Sequence, residues 1–248
     1  MQNINSKERA INLSDLDMDL LRNLSVLCED SKPSEEEQNI NHTIHNIIEK
    51  QAMLISNEYR NCVYAYKLKS YDYSTYIHSV RVSVLSMIIG KILGYSQSTI
   101  KELGIAGLLH DIGKRYIPVE IITKPDKLDD IEKNIVAMHP AGSVYYIRKN
   151  YNLSKNILCG VYEHHERLDG SGYPRKLIGD EISRAGRIIA IADIFEAYSS
   201  ERSYHNARSF KETVAYLKSC KGLDQFIVDK FIEHIDFNTD MVYLDDEQ

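Results

Sequence analysis

His110 and Asp111 stand side by side in this chain, and a second pair, His164 and His165, follows further on. His78, His139 and Asp193 lie before, between and after them. Neutral imidazole and carboxylate are the donors that hold borderline divalent metals. One such pair says little, but these side chains together outnumber what a single ion takes. A carboxylate beside a histidine can bridge two ions, and a bridged pair acidifies a shared water and clamps a phosphoryl oxygen. That chemistry suits hydrolysis of a phosphate ester. Lys114, one helical turn after His110, can offer positive charge to a phosphate or a leaving oxygen. Arg202, beyond Asp193, can fork onto a phosphate from the end of its helix.

The elements that must position these groups read as helical nearly throughout. Ile11, Leu13, Leu16, Leu20, Leu24 and Leu27 form one stripe, suited to a packing or dimerisation helix. The polar stretch 30–39, with Pro33, reads as a linker, and a long helix follows over 41–70. On a third helix, from about Ser74 to Gly94, His78 shares a face with Val82, Leu85, Ile89 and Ile92 and so points inward. A helix over 99–110 is ended by the loop around Gly113 and Pro118. Asp129 with Glu132 predicts the capped start of a helix reaching His139, where Pro140 predicts a break.

Another helix is expected to carry both His164 and His165 and to stop at Asp169-Gly170-Ser171-Gly172. Neighbours on an ideal helix point about 100° apart, which leaves solvent as the alternative for one of the two. The helix over 183–199 carries Asp193, Ser209 with Glu212 opens another, and Asp224 is placed to cap the last. The expected fold is all-α, with ligands projecting inward from at least five helical segments.

Taken singly, each residue also has an ordinary role. His78 can be a satisfied core histidine, His139 the end of a helix, Asp193 a cap or a core ion pair, and Lys114 a solvated loop residue. It is their combination that points to a metal site.

The 248 residues, 43% hydrophobic, are enough for a substantial core. A net charge of −6 argues against a broad basic face for a nucleic acid polymer. Cys28, Cys62, Cys159 and Cys220 form no C-x-x-C pair and are expected as buried free thiols in a reducing compartment. No apolar run approaches the roughly 18 residues of a membrane span, so no membrane partner is expected. The N-terminus carries no signal core, and a cytoplasmic location is the expectation.

His110-Asp111-Ile112-Gly113-Lys114 resembles the HDxGK signature of HD-domain phosphohydrolases. The run from His164 to Pro174, HHERLDGSGYP, resembles the HHExxDGxGYP signature of the HD-GYP family of bacterial cyclic di-GMP phosphodiesterases. The likeness extends over 71–217 and includes His139-Pro140-Ala141-Gly142 and the segment from Arg187 to Asp193. It implies an HD-domain helical bundle with extra C-terminal helices over 70–248, behind a short N-terminal helical segment and linker over 1–69.

It also implies two divalent ions, iron or manganese. His78, His110, Asp111 and Asp193 would hold one, and Asp111, His139, His164 and His165 the other, with Asp111 bridging. Asp111 and Lys114 would then be catalytic, with Lys114, Arg202, His205 and Tyr173 at the substrate. Members hydrolyse cyclic di-GMP to pGpG, and some continue to GMP, by in-line attack of a hydroxide that bridges the ions. A GGDEF-domain protein meeting the Gly-Tyr-Pro loop is the implied protein partner, and a homodimer is a further expectation.

Two departures bear on this. Members with a third metal carry Glu four residues before the first histidine; Ser74 stands there, which favours two ions. The family's R-P-Y-R/K pattern reads Arg202-Ser203-Tyr204-His205, so a group mostly neutral at pH 7 replaces a second phosphate-binding charge. Cyclic GMP-AMP as substrate, or a weakly active nucleotide-binding scaffold, are the alternatives.

Overall fold

The computed structural model describes residues 73–200 and 209–244, with side-chain surroundings over 78–200 and 209–235. The stripe at 11–28, the linker at 30–39, the helix at 41–70, Cys28, Cys62, Arg202 and His205 lie outside the described residues, as does the side chain of Ser74. Among the described residues the fold is all-α: no strand or sheet forms, and a single isolated bridge pairs Asp169 with Ile178.

Helix α1 spans Tyr73–Ile92 and α2 Gln97–Leu109, the latter opened by the Ser96 side chain accepting from Thr99 N–H. A 3₁₀ turn over Ile112–Tyr116 follows, then the single turn α3, Val119–Ile122. Helix α4, Asp130–Val136, begins on the Asp129–Glu132 capping box that the sequence predicts. It stops short of His139. Instead α5, His139–Asn150, begins at that residue, with Pro140 in its first turn. Proline is tolerated there because a first-turn N–H has no intrahelical acceptor to lose.

Helix α6, Lys155–Glu163, also ends earlier than expected, with His164 as its C-terminal cap and His165 beyond. Helix α7, Arg184–Ser199, is capped by Ser183, and α8, Phe210–Ser219, by the Ser209–Glu212 box. Helix α9, Gln225–Leu244, completes the C-terminal pair. Asp224 meets Ile227 N–H at 3.4 Å at its start, and its other oxygen accepts from Arg187 at 3.0 Å.

Helix α7 is the centre of the bundle. Ile188 to Ala192 are buried without interruption, the pattern of a helix covered on all sides. It packs on α1, α6, α8 and α2, and α1 packs against α2. Val82, Leu85 and Ile89 of α1, Leu103 and Leu108 of α2, Val161 of α6 and Phe231 of α9 join it in one continuous core. Full burial of such a side chain contributes about 1.5–3 kcal/mol, which holds α1, α2, α6 and α7 in a fixed mutual geometry.

At Gly113 the 3₁₀ turn lies against the start of α5. A methyl group there would overlap the His139 carbonyl oxygen and the Ser143 nitrogen. The Ser143 hydroxyl ties the two together: it accepts from Gly113 N–H at 2.8 Å and donates to the His110 carbonyl at 2.7 Å.

Candidate metal centre

Helices α1, α2, α5, α6 and α7 bring the predicted ligands to one place. His78, His110 and Asp111 offer ligand atoms all within 4.8 Å of one another, and so do His139, His164 and His165. Asp111 stands between the two groups. Its Oδ2 is 3.3 Å from His110 Nε2 and 3.6 Å from His78 Nε2, while its Oδ1 is 3.1 Å from His139 Nε2. Asp193 Oδ1 closes the first group, 3.1 Å from His78 Nε2 and 3.9 Å from His110 Nε2.

The backbone fixes which nitrogen of each ring faces the centre. His110, His139 and His164 sit at or just beyond helix C-termini, where the last carbonyls lack intrahelical partners. Each ring's Nδ1–H donates to such a carbonyl three residues back: Gly107 at 2.6 Å, Val136 at 2.7 Å and Val161 at 2.7 Å. A carbonyl only accepts, so Nδ1 carries the proton and a neutral ring presents a bare Nε2 to the centre. Two of these, His139 and His164, face each other at 3.2 Å. Lone pairs so close repel unless a proton or a metal ion lies between them.

His110 Nε2 and Asp111 Oδ1 are buried without any hydrogen-bond partner. Buried acceptors without a hydrogen-bond partner suit a bound ion. The donor set of imidazole nitrogens around a carboxylate therefore fits divalent cations, with Asp111 able to present one oxygen to each of two.

Electrostatics hold the groups in ligand form, with one exception. Burial pushes the Asp111 carboxyl up, but the His110 ring and the Lys114 ammonium outweigh it and hold Asp111 well below the usual carboxylate range. Asp193 is likewise depressed against burial, by His78 first and then by His110 and His165. Burial drives His164 well below its ordinary value, helped by the three neighbouring rings, and drives His165 down to about 3. His78 is the exception: burial lowers it, but hydrogen bonds to Asp193 and Glu196 raise it to about 9.

Lys114, on the 3₁₀ turn and half-buried, reaches Asp111 Oδ2 at 2.6 Å. Tyr173 stacks on His165 at 4.6 Å with the rings 23° apart. Burial, then the Asp111 and Asp193 charges, push its phenol up, so it stays neutral. The exit of the chain from α6 after Glu163 is what lets both His164 and His165 turn inward, their centroids 4.2 Å apart. The loop that carries Tyr173 is anchored by two buried carboxylates. Glu166 accepts from the N–H groups of Arg175 and Leu177, and Glu163 from Ser183 N–H and the Arg175 side chain.

Of the predicted residues, His78, His110, Asp111, Lys114, His139, His164, His165, Tyr173 and Asp193 are brought together; Arg202 and His205 lie outside the described residues. His234 is exposed, as expected of a surface residue. Cys159 and Cys220 are free but half-buried rather than buried. Sequence reasoning missed Glu196, Ser143 and the anchoring role of Glu163. For Glu196 a signal existed: an acidic residue three positions after Asp193, hence on its face of the helix, in a run that is otherwise apolar.

No described helix is long and apolar enough to cross a membrane. Among characterised proteins, the chain is 35% identical over 156 residues to a cyclic di-GMP phosphodiesterase of Pseudomonas aeruginosa, covering 63% of this chain and 38% of that one. It is 38% identical over 164 residues to 3'3'-cGAMP-specific phosphodiesterase 1 of Vibrio cholerae, covering 64% and 38%. A cyclic di-GMP phosphodiesterase of Thermotoga maritima is 38% identical over 152 residues, covering 61% and 41%. The chain thus spans about two fifths of the length of these curated relatives. The fold is shared with Bd1817, a HDG"Y"P protein from Bdellovibrio bacteriovorus, at a TM-score of 0.55 and 15% identity over 88% of this chain and 78% of that one. The relatives support the HD-GYP resemblance carried by 110–114 and 164–174. A family model for the HD domain matches residues 42–226, a span that takes in every histidine and aspartate of the centre, and the chain belongs to that family.

Proposed function

We propose that this chain is a metal-dependent phosphodiesterase that opens a cyclic dinucleotide, cyclic di-GMP in the first instance, to linear pGpG. The observation that carries this reading is Asp111, set with one oxygen toward each of two histidine groups whose bare Nε2 atoms converge. His78, His110, Asp111 and Asp193 would hold one ion and Asp111, His139, His164 and His165 the other, with iron or manganese suited to this nitrogen and oxygen set. When bound, two such ions supply Lewis acidity toward a phosphoryl oxygen and lower the pKa of a water between them.

The chain's own residues do the rest. Asp111 and Asp193 remain anionic and balance the positive charge. His164 and His165 remain neutral donors. Lys114 presents a fixed positive charge at the rim of the centre, where negative charge builds on the phosphoryl oxygens during attack. Tyr173, neutral and stacked on His165, orients that ring and offers a hydroxyl to the substrate. Arg202 and His205 are proposed as further phosphate contacts. The outer edge of the Tyr173 loop, with exposed Arg175 and Ile178, is the surface a GGDEF-domain partner would meet. The free thiols Cys159 and Cys220 fit a reducing, cytoplasmic setting.

Hydrolysis of 3'3'-cGAMP is the second reading. It is favoured by identities of 38% and 43% to two Vibrio cholerae phosphodiesterases specific for that nucleotide, no lower than those to the cyclic di-GMP relatives. The test is to load the purified protein anaerobically with iron(II) or manganese(II) and to follow both nucleotides side by side. Turnover of cyclic di-GMP supports the first reading, and selective turnover of 3'3'-cGAMP replaces it with the second. Tight binding without turnover of either overturns both in favour of a nucleotide-binding scaffold.

A further inference from the structure

His78 differs from His110, His139 and His164 in what holds its ring. Those three lie at helix ends and use spare backbone carbonyls. His78 lies inside α1, where the carbonyls are committed to the helix. Its Nδ1 is bonded instead to the Glu196 carboxylate. Glu196 is 3% exposed and sits one turn after Asp193 on α7. Its other oxygen accepts from the Ser200 hydroxyl at 2.8 Å and lies 3.4 Å from the Arg81 guanidinium, which also donates to Ser200 at 3.0 Å. The carboxylate is therefore itself held in place, from α1 and from the end of α7.

A carboxylate and a carbonyl are not equivalent behind an imidazole. The anion draws the Nδ1 proton more strongly, raises the donor strength of Nε2, and adds a full buried negative charge near whatever Nε2 binds. Among the four rings whose Nδ1 partner is known, only that of His78 has such a partner. The group of His78, His110, Asp111 and Asp193 thus gathers Asp111, Asp193 and Glu196 around it. The group of His139, His164 and His165 shares only Asp111, and His139 and His164 are backed by neutral carbonyls.

We propose that Glu196 is a positioning residue that makes the two ion sites unequal, so that the ion held by His78, His110, Asp111 and Asp193 is the tighter of the two. The proposal rests on the two-ion reading above. It assigns Glu196 no contact with substrate; it acts through His78.

Manganese(II) titration followed by electron paramagnetic resonance tests it site by site. At about pH 9, where the His78 proton has ceased to compete, Glu196→Gln in a His165→Ala background, which disables the second site, is expected to weaken the remaining ion by about 10- to 100-fold and to change its spectrum. In a His78→Ala background the same substitution is expected to leave the affinity of the second ion within about twofold, since no partner of that ion touches Glu196. Equal loss in both backgrounds, or no loss in either, overturns the proposal. Should Glu196→Gln lower the melting temperature of the metal-free protein, Glu196→Asp decides: it keeps the charge, so recovery of first-site affinity supports the proposal and failure to recover overturns it. A wild-type protein that takes up fewer than two ions overturns the two-ion reading itself, a result distinct from those above.

Discussion

Asp111 Oδ1 and His139 Nε2 stand 3.1 Å apart, and the far side of the same ring is fixed by its Nδ1–H, which donates to the Val136 carbonyl at 2.7 Å. That carbonyl is free for the purpose because the residue four positions on is Pro140, which has no N–H to offer it. A proline and a helix end together aim His139 Nε2 at that carboxylate, so that both atoms can serve one ion.

Asp111→Ala removes the one group that both histidine clusters face. On the proposed two-ion reading the expected outcome is loss of both ions, read as metal content after gel filtration, and a fall in turnover on the order of 10³-fold or more, in line with the several kcal/mol that metal-assisted charge stabilisation supplies. His139→Ala should lose only the second ion. Retained turnover in Asp111→Ala would mean the site is misread.

Lys114→Met tests charge without disturbing ligands. Turnover should fall about 10²- to 10³-fold, the effect of deleting one stabilising group in a preorganised site. Metal content should not fall, since the removed ammonium, 2.6 Å from Asp111 Oδ2, repels any cation held there. Parallel loss of metal and activity would assign Lys114 to the fold.

Metal uptake should depend on pH in a fixed direction. In the metal-free protein burial opposes the charge on His78, but Asp193 and Glu196 raise it to about 9, so the ring is protonated at neutral pH. It must release that proton to become a ligand, and binding of the first ion therefore competes with one proton. Apparent affinity should rise by up to about tenfold per pH unit and level off near pH 9, with proton release measurable in weakly buffered solution. Affinity that falls as pH rises over this range would contradict the His78 assignment.

Gly113→Ala should damage the centre from a position that bears no functional group. The added methyl would meet the His139 carbonyl and the Ser143 nitrogen, which are backbone and cannot rotate away. A stability loss of about 3 kcal/mol, at the upper end for overpacking, should accompany reduced occupancy of the second ion. Thermal melts with and without metal measure both.

Local patterns in the sequence determine much of this protein. The Asp129–Glu132 and Ser209–Glu212 boxes mark helix starts because a cap is satisfied within three residues. The stripe of Val82, Leu85 and Ile89 places His78 on the buried face because helical periodicity is local. The donor types and the two motifs point to the candidate ligands and their chemistry.

Only the tertiary structure decides how they meet. Helix α6 releases the chain after Glu163, and α5 begins at His139, so rings that an unbroken helix would splay turn toward one point. Where a helix gives up its last carbonyls depends on what the neighbouring chain and side chains offer in exchange. Glu196 meets His78 across 118 positions of sequence, through the packing of α1 on α7. No spacing rule spans that distance, because such a contact is set by the burial of whole helix faces rather than by the bonding of near neighbours.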